Sequence, residues 1–214
     1  IGPFVNPVAH NLSRMRESIK AIASRAGRDP QSVKLVLVTK QVEIERMRMA
    51  YDLGERDFGE NRVQELFEKA NVLPPDIRWH FIGHLQTNKA KQVAGMAPWV
   101  HSVDSLRLAE KLDEEGRKSN VKINALIQCN TSGEQTKSGL APEKIGNFLE
   151  RAGDFQHIEF KGFMTMAPLG AKEEVVRRTF SELRKVFENA RKKYPHFSWE
   201  HLSMGMSQDY EIAI

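Results

Sequence analysis

The sequence contains one cysteine, Cys129, among 214 residues. A single thiol cannot close an intrachain disulfide, so a disulfide-stapled scaffold is excluded and a reducing compartment is expected. No apolar run approaches the roughly 20 residues that a membrane-spanning helix requires. The stretch from Ile1 to His10 has neither the basic nor the apolar segment of a secretory signal. No membrane partner is expected, and a cytoplasmic location is. There is no linker rich in Pro, Gly or Ser, no short-period repeat and no long block of like charge. The net excess of +4 is dispersed in pairs such as Arg177-Arg178 and Lys192-Lys193, a pattern that does not build a nucleic-acid surface. H-E-x-x-H and C-x-x-C are absent, and His80, His84 and His101 do not share a helix face, so no metal site is expected. With 40% hydrophobic and 28% charged residues, the chain has the composition of a globular protein with a substantial core.

The hydrophobic pattern alternates between two periods. Val8, Leu12, Met15, Ile19, Ile22 and Ala26 recur at helical spacing behind Asn6 as N-cap and Pro7 at the first helical position. Val33 to Thr39 is a buried strand ending at Lys40, and Ile44 to Leu53 is a helix. Further strands are expected at Asp57 to Gly59, Trp79 to Ile82, Trp99 to Val103, Val121 to Cys129, Glu159 to Met164 and Trp199 to Ser203. Helix-forming sequence follows each of them, ending with Gln208 to Ile214. Parallel strands need such crossovers. Seven β–α units at near-regular spacing favour a (β/α)8 TIM barrel with a leading N-terminal helix over a doubly wound sheet. An eighth strand is missing from the sequence given, so either further chain beyond Ile214 or an unusual closure is expected. Residues 1–214 read as a single domain.

In such a barrel the chemistry belongs at the C-terminal ends of the strands, and the polar residues collect there. Lys40 follows an apolar strand directly. A lysine close to a dry interior loses part of its charge and becomes a nucleophile toward aldehydes; alternatively it reaches from the strand end into solvent. Ser203-Met204-Gly205-Met206-Ser207 joins the last strand to the last helix. It supplies donors for a phosphate at a helix N-terminus, or it is an ordinary helix cap with Ser207 as N-cap. His80 lines the site or the core. Asp104 and Glu60 are a conceivable acid–base pair. Lys137-Ser138-Gly139, in the longest loop, is a ligand-closing segment or a solvated turn, and Met164 and Met166 read as core.

Taken together and in order, several segments resemble the pyridoxal phosphate homeostasis protein family, related in fold to the N-terminal barrel of alanine racemase. They are Leu35 to Lys40, Phe58-Gly59-Glu60-Asn61, His80 to Lys89, Lys137-Ser138-Gly139 and Leu202 to Ser207. The resemblance runs from about Val8 to Ile214. It implies pyridoxal 5′-phosphate (PLP) held as an aldimine on Lys40, with Asn61 and His80 near the cofactor and Ser203, Gly205 and Ser207 toward its phosphate. It also implies a role in vitamin B6 supply and amino-acid balance without clear catalytic turnover. In the family an eighth strand with an Arg-Ile-Gly turn follows the helix begun at Asp209 and completes the phosphate cup.

Two functions are therefore weighed. The leading one is a carrier that binds PLP reversibly and passes it to apo-enzymes, as a monomer. The alternative is an amino-acid racemase-like enzyme, which requires a second base. Of Tyr51, Tyr194 and Tyr210, only Tyr210 is expected near the site end.

Overall fold

The computed structural model describes residues 6–134 and 138–214. Its first element, α1 (Pro7–Arg25), starts where the sequence pattern puts it: the Asn6 side chain accepts from the Val8 and Ala9 amides, and Pro7 occupies the first turn. Ile19, Ile22 and Ala23 are its buried stripe.

Seven strands follow, each in parallel register with the one before: β1 (Leu37–Val38), β2 (Asp57–Glu60), β3 (Arg78–Phe81), β4 (Trp99–Val103), β5 (Ile123–Gln128), β6 (Ile158–Met164) and β7 (His201–Ser203). Between them run α2 (Ile44–Asp52), α3 (Val63–Ala70), α4 (Ala90–Ala94), α5 (Leu106–Ser119), α6 (Ile145–Ala152) and α7 (Glu173–Lys193), and α8 (Tyr210–Ala213) follows β7. The strand order β1 to β7 never reverses. A doubly wound sheet requires a reversal, so the sheet is singly wound and curls as a seven-stranded half-barrel.

Among the described residues β1 pairs only with β2, and β7 only with β6. That explains a difference from the sequence pattern. The expected strand from Val33 to Thr39 contracts to Leu37–Val38, and Val38 is 48% exposed, because one side of β1 has no described neighbour. The two ends of the half-barrel are nonetheless tied together. The Tyr210 hydroxyl of α8 lies 2.9 Å from Ser18 Oγ of α1, and Arg28 donates to the Ile214 carbonyl at 2.9 Å.

Successive side chains of a strand point to opposite faces, and here the faces differ in chemistry. The outer one, under the helices, is sealed by Phe58, Phe81, Leu66, Leu112, Ile127 and Phe160, all at most 2% exposed. The inner face carries Asp57 on β2, His80 on β3, Trp99 and His101 on β4, and His201 and Ser203 on β7, joined by direct contacts. Branched aliphatic residues dominate a packed barrel interior; here the polar groups share it with Val36, Val38 and Ile82, which surround Gly59. Gly162 lets β7 approach: at φ +157, a Cβ there would lie 1.7 Å from the His201 carbonyl oxygen.

Candidate functional site

The C-terminal ends of β1, β2, β3 and β7 form one mouth. Lys40 lies there just past β1, exposed, with no ion pair among the described residues. The dry strand end expected from the sequence is not found, since among the described residues β1 is paired on one side only. The backbone on both sides of Lys40 is nevertheless held firmly. Lys69 of α3 donates to the Thr39 carbonyl at 2.5 Å and to Glu60 at 2.6 Å, and Thr39 Oγ1 donates to the same Glu60 oxygen at 2.6 Å. Glu65 accepts from the Gln41 amide at 2.8 Å and pairs with Lys69 at 3.1 Å. That amide contact is the main reason the Glu65 carboxyl titrates below its ordinary range. Gln41 takes a left-handed φ of 58°, an uncommon conformation for a non-glycine residue. Lys40 thus springs from an over-determined turn while its amine stays free.

On the inner face a continuous chain crosses from β2 to β7. Arg78 grips Asp57 with Nε at 3.0 Å and Nη2 at 2.6 Å. Asp57 Oδ1 meets His80 Nε2 at 2.9 Å, His80 Nδ1 meets His101 Nε2 at 2.8 Å, and His101 Nδ1 meets Ser203 Oγ at 2.8 Å. Trp99 stacks on the His80 ring with centroids 5.7 Å apart. Although partial burial opposes it, hydrogen bonds from His80 and Arg78 hold the Asp57 carboxyl well below the usual carboxylate range. Burial lowers His101 to about 3, and any positive charge on the neighbouring His80, His201 or Lys34 acts in the same direction, so its ring is neutral.

The turn after β7 is shaped from beneath. Met204, Ile212 and Ala213 pack against Ala167, Val176 and Phe180. Asp209 Oδ1 accepts from the Met206 amide at 2.6 Å. Gly205 has φ +91, and a Cβ there would come within 2.8 Å of Ala213 Cβ. The amides of Gly205 and Ser207 meet no acceptor among the described residues. Three buried side-chain oxygens among the described residues lack hydrogen-bond partners: Glu60 Oε2, Asn61 Oδ1 and Ser102 Oγ. Gly83 stands against Asn61 so closely that a Cβ would lie 2.1 Å from the Asn61 carbonyl oxygen.

Several expectations change. Ser207 does not cap the last helix; it is exposed, and Asp209 occupies the N-cap position. With α8 running only Tyr210–Ala213, its dipole is small, and the donors of the turn are local amides. Glu60 and Asp104 do not pair: Glu60 faces outward to Lys69, and Asp104 lies 3.6 Å from His84. Tyr210 is turned away to Ser18. Met164 is core, but Met166 is 44% exposed. Lys137 lies outside the described residues. No cluster of metal-ligating side chains occurs among the described residues. Asp57 and Lys69 are essential to these networks and were not singled out by motif. The signal for each is a polar residue in phase with an otherwise apolar run: Asp57 entering β2, and Lys69 beside Leu66 on α3.

A singly wound parallel half-barrel with a free lysine after its first strand and a donor-rich turn after its last belongs to the TIM-type barrels. The chain belongs to the alanine racemase N-terminal domain family, whose model matches residues 10–213. It is 39% identical over 204 residues to the pyridoxal phosphate homeostasis protein of Aquifex aeolicus, covering 95% of this chain and 89% of that one. It is 35% identical to the protein of the same name from Escherichia coli K12, covering 98% and 91%. Among solved structures, PipY of Synechococcus elongatus PCC7942 with PLP bound superposes with a TM-score of 0.80 at 33% identity, covering 92% of each chain. Its form without PLP gives 0.83 at 34% identity, covering 91% of this chain and 92% of that one. The alanine racemase of Streptomyces coelicolor shares the fold at TM-score 0.69 and 16% identity, over 92% of this chain and 53% of its own. No helix among the described residues is long and apolar enough to cross a membrane.

Proposed function

We propose that this chain binds pyridoxal 5′-phosphate at the mouth of its half-barrel, attached through Lys40, and serves vitamin B6 homeostasis as a carrier and not as a catalyst. Its relatives are named for PLP homeostasis, and PipY has been solved with PLP bound. The observation that carries the reading is the free amine of Lys40, on a turn fixed from both sides by the Glu60–Lys69–Glu65 network.

The residues present fit such a ligand. The unpartnered amides of Gly205 and Ser207, together with Ser203 Oγ, would supply the donors for the anion, and Gly205 lets the turn lie against α8, where a Cβ would come within 2.8 Å of Ala213 Cβ. Asn61, with its buried oxygen lacking a partner, and His80 would flank the ring. When bound, the cofactor supplies an electrophilic aldehyde carbon and a phosphate dianion. Lys40 brings its nucleophilic amine to the mouth, and Lys69, Thr39 and Glu65 keep that amine from drifting with its loop. Ser203, Gly205 and Ser207 orient the anion. His80 is held in place by Asp57, His101 and the stacked Trp99.

The racemase reading is weaker because a second base is needed on the opposite face of the substrate. All three tyrosine hydroxyls have partners away from the mouth: Tyr51 on Asp76 at 2.6 Å, Tyr194 on the Gly146 carbonyl at 3.5 Å and Tyr210 on Ser18. Residues 1–214 would act as one domain, a cytoplasmic monomer that hands its cofactor to apo-enzymes and maintains amino-acid balance through them. The test has two parts. PLP added to the protein should give a visible absorbance band that Lys40→Ala abolishes, and the loaded protein should restore activity to an apo PLP enzyme. Exchange of the α-proton of alanine with solvent deuterium at a catalytic rate would instead establish the racemase reading.

A further inference from the structure

The inner-face chain can be read by counting its hydrogens. Asp57 is ionised and can only accept, so His80 carries a hydrogen on Nε2 toward it. In a neutral His80 the other nitrogen, Nδ1, is a lone pair. The 2.8 Å contact is then made by His101 donating from Nε2. His101 is neutral, so its Nδ1 is also a lone pair. The only hydrogen left to fill the 2.8 Å contact with Ser203 is the serine's own. Toward the mouth Ser203 therefore presents lone pairs, which repel a phosphate.

One added proton reverses the whole chain. It enters at the Ser203 end: His101 gains a hydrogen on Nδ1 and passes its Nε2 hydrogen to His80 Nδ1. His80 becomes an imidazolium lying against the Asp57 carboxylate, and His101 stays neutral as the other tautomer. Ser203 Oγ now accepts from His101 and its hydroxyl hydrogen is free to point at an anion. No bond between heavy atoms forms or breaks, and the only co-reactant is a proton from water.

We propose that Ser203 captures a phosphomonoester together with one proton, which is stored on His80 through His101, making the Asp57–His80–His101 chain a positioning device for the anion site. The inference rests on the reading of Ser203 as a phosphate contact. The charged and titratable groups around the chain are consistent with storage at His80 and not at His101. Asp57 on β2, itself gripped by Arg78 on β3, faces His80. Lys34 ahead of β1 and His201 on β7 disfavour charge at His101; His201 also acts against charge on His80, where the Asp57 carboxylate at 2.9 Å opposes it. Trp99 on β4 covers His80 from one side.

The test uses 4-deoxypyridoxine 5′-phosphate, which has the phosphate and no aldehyde, so that Lys40 chemistry does not contribute. Calorimetric titrations at about pH 8, where the phosphomonoester is a dianion, are run in two non-amine buffers of different ionisation enthalpy. Wild type should take up about one proton more than Ser203→Ala. Its Kd should rise about tenfold per pH unit on the alkaline side, while that of Ser203→Ala stays flat in the same range. Nitrogen-15 NMR should show both histidines as Nε2–H tautomers without ligand. With ligand, His80 should be doubly protonated and His101 should be Nδ1–H. Equal proton uptake by the two proteins, or a His101 that remains Nε2–H with ligand bound, overturns the coupling and leaves the cofactor reading standing. Absence of any binding overturns both.

Discussion

The two faces of β2 carry two carboxylates three positions apart with opposite roles. Glu60 points outward into the helix layer, is fully buried, and is neutralised by Lys69 at 2.6 Å. Asp57 points inward and is shared between Arg78 and His80. In the outer network one Glu60 oxygen is buried without a hydrogen-bond partner, and the hydrogen bonds of Lys69 and Glu65 end on the Thr39 carbonyl and Gln41 amide, so its effect is to fix backbone around Lys40. The inner network is open-ended, running through two imidazoles to a serine at the mouth. A buried ion pair holds one geometry because separating it exposes an uncompensated charge. A chain of imidazoles has two directions of hydrogen bonding that differ by one proton. The fold thus holds its lysine turn in one geometry and leaves the hydrogen bonding of Ser203 reversible, using the two sides of a single strand.

The largest effect should come from breaking the outer network. Lys69→Met leaves Glu60 charged and buried and should cost about 3–5 kcal/mol in denaturant unfolding, whereas the double variant Glu60→Gln/Lys69→Met should recover most of that loss. Next is Asp57→Asn, which removes the acceptor charge facing His80 and Arg78 and should cost about 1.5–3 kcal/mol at neutral pH. The sign with pH follows from the depressed carboxyl of Asp57. Its stabilisation is complete above the unfolded carboxyl value of about 3.9 and is lost as pH falls through the lower folded value. The gap between wild type and Asp57→Asn should therefore close below about pH 4, as read by thermal unfolding across pH. Ser203→Ala should cost less, about 1 kcal/mol, because water can reach the half-buried site and replace the hydroxyl on His101. The smallest effect belongs to Tyr210→Phe, at about 0.5–1 kcal/mol for one hydroxyl contact with Ser18. That variant should bind PLP as wild type does in an absorbance titration.

Most of the fold was legible because each outer-face stripe is apolar at the right period. The β4 bounds Trp99–Val103 match the pattern residue for residue. The bounds that shifted have physical causes. β1 lost Val33 to Val36 and Thr39 because a strand is defined by its neighbours, and one side of β1 has none described. Ahead of α4 stands a turn of 3₁₀-helix at Thr87–Lys89, a usual way for a helix to begin. At the site, Lys40, Asn61, His80 and Ser203 stand out by position at strand ends. What the sequence concealed is connectivity: His101 and Asp57 belong with His80 because of strand register, which no single-strand pattern contains. Likewise, Lys69 is thirty positions from the Thr39 carbonyl it holds, and only the α3 crossover brings them together.

The central claim, that Lys40 is the point of attachment, is tested most directly by incubating the protein with PLP, reducing with borohydride and mapping the modified peptide by mass. The account predicts a single pyridoxyl label on Lys40, retained in Tyr210→Phe and absent from Lys40→Ala. A label distributed over surface lysines, or placed mainly on another residue, would contradict it.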